Sequence, residues 1–451
     1  MRLIMVILMA VIGAGIATPA LSQDSATSQS AKATAVAVVD ALTSNNFPAV
    51  VARFAPEMRR DLPAATLEKV WSGIIGQAGA VVEVKEAQAV GGASQGATLV
   101  VVPIRFANAA LDVRVAVASD KIVGLRIVPS EPSYAPWSAP AYVDAAKFTN
   151  VEVELGAAPT VLGGTLSLPK AAHKVPAVVL IHGSGPNDRD ERLGPNLVFR
   201  DLAEGLASRG VAVLRYDKRT KIYPEQFTAA STVREETMDD VVAAVALLRA
   251  RPEIDPGSIV IVGHSLGGML APRIAEGGHG IAAAVLLAAA ARPLPTMMVE
   301  QIAYLASLKG PPDEAAKQQM KQIKSDAARA LAARPGDAGP PILGAPPTYW
   351  ADLNAYDPAA TAAKLSLPLL ILQGGRDYQV TADDLLRFRE ALAGHANVMI
   401  REFPRLNHLF IAGEGKSRPD EYQIPGHVDA SVIDAIATFI DGVAKPNRPP
   451  Q

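Results

Sequence analysis

Apolar positions along this chain keep two different rhythms, one on each side of a proline-rich stretch. In the first, from Ala33 to Ala78, they recur at helical spacing: Val36, Val39 and Leu42, then Phe47, Val50, Val51 and Phe54, then Leu67, Val70, Trp71, Ile74 and Ile75. Gly76 and Gly79 close that run. Strand-like runs follow at 81–84, 97–106, 111–118 and 121–128, with Asn108 and Ser119-Asp120 as turns between them. Helices followed by a curled antiparallel sheet predict a small α+β domain over 33–128. The segment PSEPSYAPWSAP begins at 129 and opens an interdomain linker, stiffened by proline, that runs to 147.

From 148 to 445 short apolar strands alternate with amphipathic helices. An opening hairpin is expected from 151–155 and 165–168, parted at Gly163-Gly164. Buried strands are expected at 178–181, 211–216, 283–287, 369–372 and 398–403, and another runs into Gly263. Helices are expected at 196–210, along Met238, Val241, Val242, Val245 and Leu248, and at the end along Val432, Ile433, Ile436, Phe439, Ile440 and Val443. This alternation predicts an α/β domain with a doubly wound, mostly parallel sheet covered by helices on both faces. One interval breaks the rhythm. Residues 292–366 hold two helical stretches and a Pro/Gly-rich run but no strand, far more chain than one crossover needs. The reading is a helical lid over the carboxyl ends of the strands, where such sheets bind ligands.

Composition narrows the function. Of the 451 residues, 49% are apolar, enough for a sizeable core, and the net charge of −2 gives no reason to expect nucleic acid or an anionic membrane as partner. The absence of cysteine excludes disulfides, thiolate metal sites and cysteine nucleophiles. At the start, Met1-Arg2 leads into an apolar run, Leu3 to Ile16, and then Ala20-Leu21-Ser22. Residues 1–22 read as a secretory signal peptide, which places the mature chain in the periplasm or outside the cell. The run is shorter than the ~20 residues a membrane-spanning helix needs, so no stable membrane insertion is expected.

The chemistry centres on SIVIVGHSLGG, Ser258 to Gly268. A buried strand runs into G-x-S-x-G and helical sequence follows at once, the arrangement that holds a serine hydroxyl exposed on a tight turn. Ser265 is the candidate nucleophile. Among seven histidines, His408 alone follows a strand's carboxyl end on a short loop able to swing it over the sheet. His264 is expected to point away from the nucleophile. Asp377, on the Gly-rich turn after 369–372, is the candidate acid, since no acid follows the preceding strand. The order Ser265, Asp377, His408 is the one expected when the elbow comes first. Two backbone N–H groups should form the oxyanion hole, one on Leu266 and one from the loop His182 to Pro186, with Ser184 the candidate donor and Gly185 the alternative. Asp188, Arg189 and Asp190 are read as pairing with each other and with Arg215 to Arg219 to brace adjacent loops.

HGSGPNDRDE (182–191), RYDKR (215–219), GHSLGG, GGRDYQV and LNHLF together resemble the α/β-hydrolase superfamily, and within it secreted carboxylesterases similar to dienelactone-hydrolase-like and prolyl-oligopeptidase-like enzymes. The resemblance covers about 148–445. It implies hydrolysis of a small-molecule ester or amide through an acyl-enzyme, with no metal or organic cofactor, and it carries nucleophile, acid and base onto Ser265, Asp377 and His408. The chain departs from that pattern after Arg219, where Thr220-Lys221-Ile222-Tyr223-Pro224 stands in place of glycines and leaves the shape of the neighbouring wall open. The lid's Leu, Met and Ala content, with Tyr349-Trp350, points to an apolar acyl or aromatic group. A peptidase using the same triad and a non-catalytic binding protein are the alternatives. The small domain resembles the ketosteroid-isomerase-like cone domains placed ahead of some secreted hydrolases. Those isomerases need a buried carboxylate pair, and nothing singles out Glu83, Glu86 or Asp112 for that role. It is therefore read as a binding module or as the contact of a homodimer.

Overall fold

A computed structural model describes residues 25–93, 97–130 and 134–444. The segment read as a signal peptide lies outside them. The chain divides into two compact units between Ser133 and Tyr134.

In the first unit, helices α1 (Ser25–Thr43), α2 (Phe47–Val51), α3 (Pro56–Asp61) and α4 (Ala64–Ala78) precede strands β1 (Val81–Val84), β2 (Gln88–Ala93), β3 (Ala97–Phe106), β4 (Ala110–Ala118) and β5 (Lys121–Pro129). The sheet is antiparallel, with β3 pairing β1, β2 and β4, and β4 pairing β5. Alternation on β3 sends Val100, Val102, Ile104 and Phe106 into one core, where they meet Ala35, Val38, Val39 and Leu42 of α1 and Leu67 and Trp71 of α4. The Trp71 and Phe106 rings pack at 6.0 Å between centroids. Strand β2 was not expected, because Gly91-Gly92 carry no strand pattern; pairing with β3 supplies what propensity does not.

The segment 129–147, expected as a linker, is divided. Pro129 closes β5, and from Tyr134 onward the chain belongs to the second unit. Trp137 Nε1 donates to Asp201 Oδ1 at 2.9 Å, with the Arg200 guanidinium 4.0 Å above its ring. An aromatic residue with a charged and a hydrogen-bonded partner is held in place, so proline stiffness is not what positions this stretch.

The second unit runs β6 (Phe148–Leu155), β7 (Leu162–Pro169), β8 (Val175–Ile181), the short pair β9 (Arg192–Leu193) and β10 (Asn196–Leu197), α5 (Val198–Ala207), β11 (Ala212–Tyr216), α6 (Arg219–Ile222), α7 (Asp239–Arg249), β12 (Ile254–His264), α8 (Leu266–Glu276) and β13 (Ala283–Leu287). Four helices follow without a strand, α9 (Leu294–Ser307), α10 (Glu314–Ala332), α11 (Pro347–Asn354) and α12 (Pro358–Ala362). Then come β14 (Leu369–Gly374), α13 (Ala382–Ala391), β15 (Val398–Phe403) and α14 (Ala430–Ala444). The eight-stranded order is β15-β14-β13-β12-β8-β11-β7-β6, parallel from β15 to β11 and antiparallel at β7 and β6. Gly163 and Gly164 lie inside β7 and not in the hairpin turn. A methyl group on Gly163 would sit 2.7 Å from the Arg189 guanidinium, so the glycine makes room for a neighbouring loop.

The strands are apolar on both faces because both faces are covered. On β8, Ala177, Val179 and Ile181 enter the core shared with α7 and α8, while Val178 and Leu180 enter the one shared with α5 and α14. The chain leaves β8 for β11 on one side and returns to β12 on the other. The loops after β8 and β12 therefore diverge at a topological switch point, which leaves a crevice at the carboxyl edge.

Candidate active site

Strand β12 hands directly to α8 through Ser265, whose φ of 55° and ψ of −116° lie where a residue with a side chain is strained by about 1–3 kcal/mol. The turn is held from both sides: Ser265 N donates to Leu287 O at 2.9 Å, and Ser265 O accepts from Met269 N at 2.9 Å. The flanking glycines are imposed by contact. A methyl group on Gly267 would lie 2.2 Å from Ile181 O, and one on Gly263 would lie 2.2 Å from Gly267 O.

Asp377 follows β14 and is 5% exposed. Its Oδ1 accepts Gln379 N at 2.7 Å and Val380 N at 3.1 Å, and its Oδ2 accepts His408 Nδ1–H at 2.6 Å. With Nδ1 spoken for, Nε2 is the nitrogen left to exchange a proton. The loop carrying His408 is set by Asn407, whose Oδ1 accepts Leu409 N and Ile411 N at 2.9 and 3.1 Å. The His408–Asp377 pair is anchored on the elbow: His264 Nε2 donates to His408 O at 2.9 Å, and the two rings lie 4.7 Å apart. The Ser265 hydroxyl makes no hydrogen bond to another described residue. Nucleophile–base bonds are often long before substrate binds.

The loop after β8 presses on the elbow, so that a methyl group on Gly183 would lie 3.2 Å from Ser265 Cβ. Gly183 N–H is taken by Glu191 Oε1 at 2.5 Å. The next N–H, on exposed Ser184, and that of Leu266 at the start of α8 carry no hydrogen bond to another described residue. These are the two donors the sequence singled out. A cavity of 530 Å³ opens over them. Ser184, Ser265 and Leu266 are among its lining residues. Leu294, Met297 and Met298 of α9, with Leu343, Tyr349 and Trp350, form an apolar wall drawn from the segment read as a lid. Pro224 and Phe227, the latter packed edge-on against Tyr349, line the cavity too, and Thr220, Glu236, Gln301 and Gln379 add polar lining. The departure after Arg219 thus supplies part of this wall.

Residues 178–422 match the alpha/beta hydrolase family, more than half of the chain. The chain belongs to the alpha/beta hydrolase family. It is 35% identical over 409 residues to Esterase EstD of Thermotoga maritima, a match that takes in 89% of this chain and 93% of that one. Among solved structures, Est1E from Butyrivibrio proteoclasticus is 18% identical with a TM-score of 0.41, covering 65% of this chain and 98% of that one. The acylaminoacyl peptidase of Pyrococcus horikoshii is 14% identical with a TM-score of 0.45, covering 82% and 57%. Residues 35–125 match a family of proteins of unknown function, DUF3887.

Two residues of this alpha/beta hydrolase stand closer to the chemistry than the sequence reading placed them. His264 does not turn away from the site. Its Nδ1 donates to Glu191 Oε2 at 3.0 Å and its Nε2 to His408 O, so one buried ring ties the loop after β8, the elbow and the His408 loop together. Burial pulls His264 down, yet the Glu191 carboxylate, the His408 carbonyl and Asp377 outweigh it and hold its pKa above the ordinary value. Burial pulls Glu191 up, and His264, His182 and the Gly183 N–H reverse that and hold it low. His182 is pushed down to about 4 by burial, against the pull of Glu191, and its neutral ring donates from Nε2 to Asp188 O at 3.1 Å. A polar residue at the end of so apolar a strand, and a glutamate closing the loop after β8, were the available signals. Arg189 and Asp190 brace loops as expected, Arg189 holding Asp217 at 2.8 Å and Arg215 holding Asp190 at 2.7 Å, whereas the Asp188 carboxylate stays within its own loop and accepts Asp190 N and Arg192 N at 3.1 Å.

Proposed function

We propose that the protein hydrolyses carboxylic esters through an acyl-enzyme on Ser265. The observation that carries this reading is the 2.6 Å bond from His408 to Asp377 with His408 docked on the residue before Ser265. His408 Nε2 takes the Ser265 proton as Oγ adds to the acyl carbon, and the carbonyl electron pair moves to oxygen, where the Leu266 and Ser184 N–H groups receive it. Collapse expels the alcohol, which leaves with the proton from His408. Water then repeats the sequence and releases the acid. Asp377 holds the ring and stabilises the imidazolium in both halves. Relatedness to Esterase EstD supports the ester class, and the Met-, Leu- and aromatic-lined wall supports an apolar or aromatic acyl group.

The test is hydrolysis of p-nitrophenyl acetate by wild type and Ser265→Ala, with a fluorophosphonate probe to label the nucleophile. The variant should keep less than about a thousandth of the activity, and the label should map to Ser265. Residual activity above that level, or label elsewhere, overturns the reading; aminoacyl anilides run alongside separate esters from amides. Secretion belongs to the same proposal. The apolar run at Leu3–Ile16 supports it, and N-terminal sequencing of protein from the native host should begin near Ser22 or Gln23. The first unit, similar in pattern to the cone domains, is proposed as a module that binds a ligand or pairs two copies; sedimentation of the purified chain tests the pairing.

A further inference from the structure

Three buried polar side chains take no part in the triad yet meet at its edge. Lys218, just past β11, is 1% exposed; Glu236, in the turn before α7, is 5%; Tyr349, on α11, is 6%. Lys218 Nζ donates to Gly183 O at 2.9 Å and to Glu236 Oε1 at 2.5 Å, and the Tyr349 hydroxyl donates to Glu236 Oε2 at 2.7 Å. As a stabilising device such an assembly is weak. Desolvating two charges costs about what their attraction returns, and apolar side chains of the same volume serve as well.

Its geometry has another use. Gly183 O and the Ser184 N–H belong to one peptide unit, and that unit is trans, since Ala158-Pro159 is the cis bond among the described residues. The two groups therefore point in opposite directions. A grip on the carbonyl from the buried side aims the Ser184 N–H the other way, toward the cavity that Ser184 and Ser265 both line. Asn187 Nδ2 holds the same carbonyl at 3.2 Å. The ammonium also polarises the peptide and strengthens its N–H as a donor. On the other side of Gly183, Glu191 holds the N–H. The glycine is thus tied by two buried charges of opposite sign.

We infer that Lys218 is a positioning residue for the oxyanion hole, and that Glu236 and Tyr349 tie it to the helical insertion, so that α11 and the Ser184 N–H share one relay. The inference rests on the Ser265 acyl-enzyme reading. Negative charge reaches the substrate oxygen only when Oγ adds, so a misaimed donor costs turnover and not substrate binding.

The test uses the full chain. The double variant Lys218→Met, Glu236→Gln removes the ammonium without leaving a buried carboxylate unpaired, and Tyr349→Phe cuts the other end while keeping the ring. Each is measured for p-nitrophenyl ester kinetics and for inhibition by an aryl trifluoromethyl ketone, whose carbonyl becomes an oxyanion when Ser265 adds. The double variant should lose about 10²-fold in kcat, the range for one donor, with KM within about threefold and Ki rising in step with the loss in kcat/KM. Tyr349→Phe should move both readouts the same way by about fivefold. A folded double variant with kcat within about twofold of wild type, or a Ki that stays put while kcat falls, overturns the inference. If near-ultraviolet circular dichroism shows the double variant unfolded, Tyr349→Phe decides by the same two readouts. An inert Ser265→Ala beside an unaffected Lys218 pair overturns this inference alone; a fully active Ser265→Ala overturns the serine reading and this with it.

Discussion

Replacing Glu191 by glutamine keeps the side chain's shape and removes its charge. In the native protein the carboxylate accepts Gly183 N–H at 2.5 Å and His264 Nδ1–H at 3.0 Å, while His264 Nε2–H goes to His408 O at 2.9 Å. Both partners of the ring are acceptors, so both nitrogens donate and the ring is an imidazolium. Hydrogen bonds to charged groups contribute about 1.5–3 kcal/mol each, and removing one side of a buried pair costs roughly 3–5 kcal/mol. The glutamine escapes the desolvation of an anion, which returns part of this, so the expected loss is about 3 kcal/mol. The loss has a pH signature. His264 is raised, so its contribution is complete below its unfolded value of about 6.5 and fades as pH climbs through the raised value. Glu191 is lowered, so its contribution is complete above its unfolded value of about 4.3 and fades as pH falls through the lowered one. The gap between wild type and Glu191→Gln should be widest between about pH 4.5 and 6.5 and narrow toward alkaline pH. Urea unfolding followed by tryptophan fluorescence at pH 5.5, 7.5 and 9.5 measures it. A gap below about 1 kcal/mol at pH 5.5, or one that widens as pH rises, refutes the ion pair and the argument built on it.

Asp377→Asn should fold normally and lose about 10⁴-fold in kcat, because an amide cannot hold the Nδ1–H tautomer or balance the imidazolium; circular dichroism and p-nitrophenyl acetate turnover check the two halves. Gly267→Ala puts a methyl group 2.2 Å from Ile181 O in the packed strand layer. The variant should be destabilised by more than about 3 kcal/mol or fail to accumulate in soluble form, and a wild-type melting curve would contradict the packing argument. Phe227→Ala widens the cavity opposite Tyr349, whose ring it meets at 6.0 Å. It should raise the ratio of kcat/KM for longer acyl chains over acetate at least about threefold, as a methylene or two of new apolar contact allows; an unchanged ratio across a p-nitrophenyl ester series places the acyl group elsewhere.

Sequence alone determined what is local. The apolar run into Gly263, the glycines about Ser265 and the helix after it occupy one continuous stretch, where backbone strain and close contact dictate residue type. The doubly wound sheet was legible for a similar reason, because strands buried on both faces must be apolar throughout. Asp377 and His408 were picked out by their places past strand ends, and the structure joins the two side chains at 2.6 Å. The tertiary structure decided which distant groups meet. Glu191 reaches His264 across 73 residues, Lys218 reaches Gly183 across 35, and Tyr349 reaches Glu236 across 113. None of these separations has a period or a motif. Strand order creates them, by parting the chain between β11 and β12 on either side of β8, and α9 and α11 bring Leu294, Met297 and Tyr349 to the cavity that Ser265 lines. A charge buried in such a place finds its partner through the sheet, and no local pattern records which partner that is.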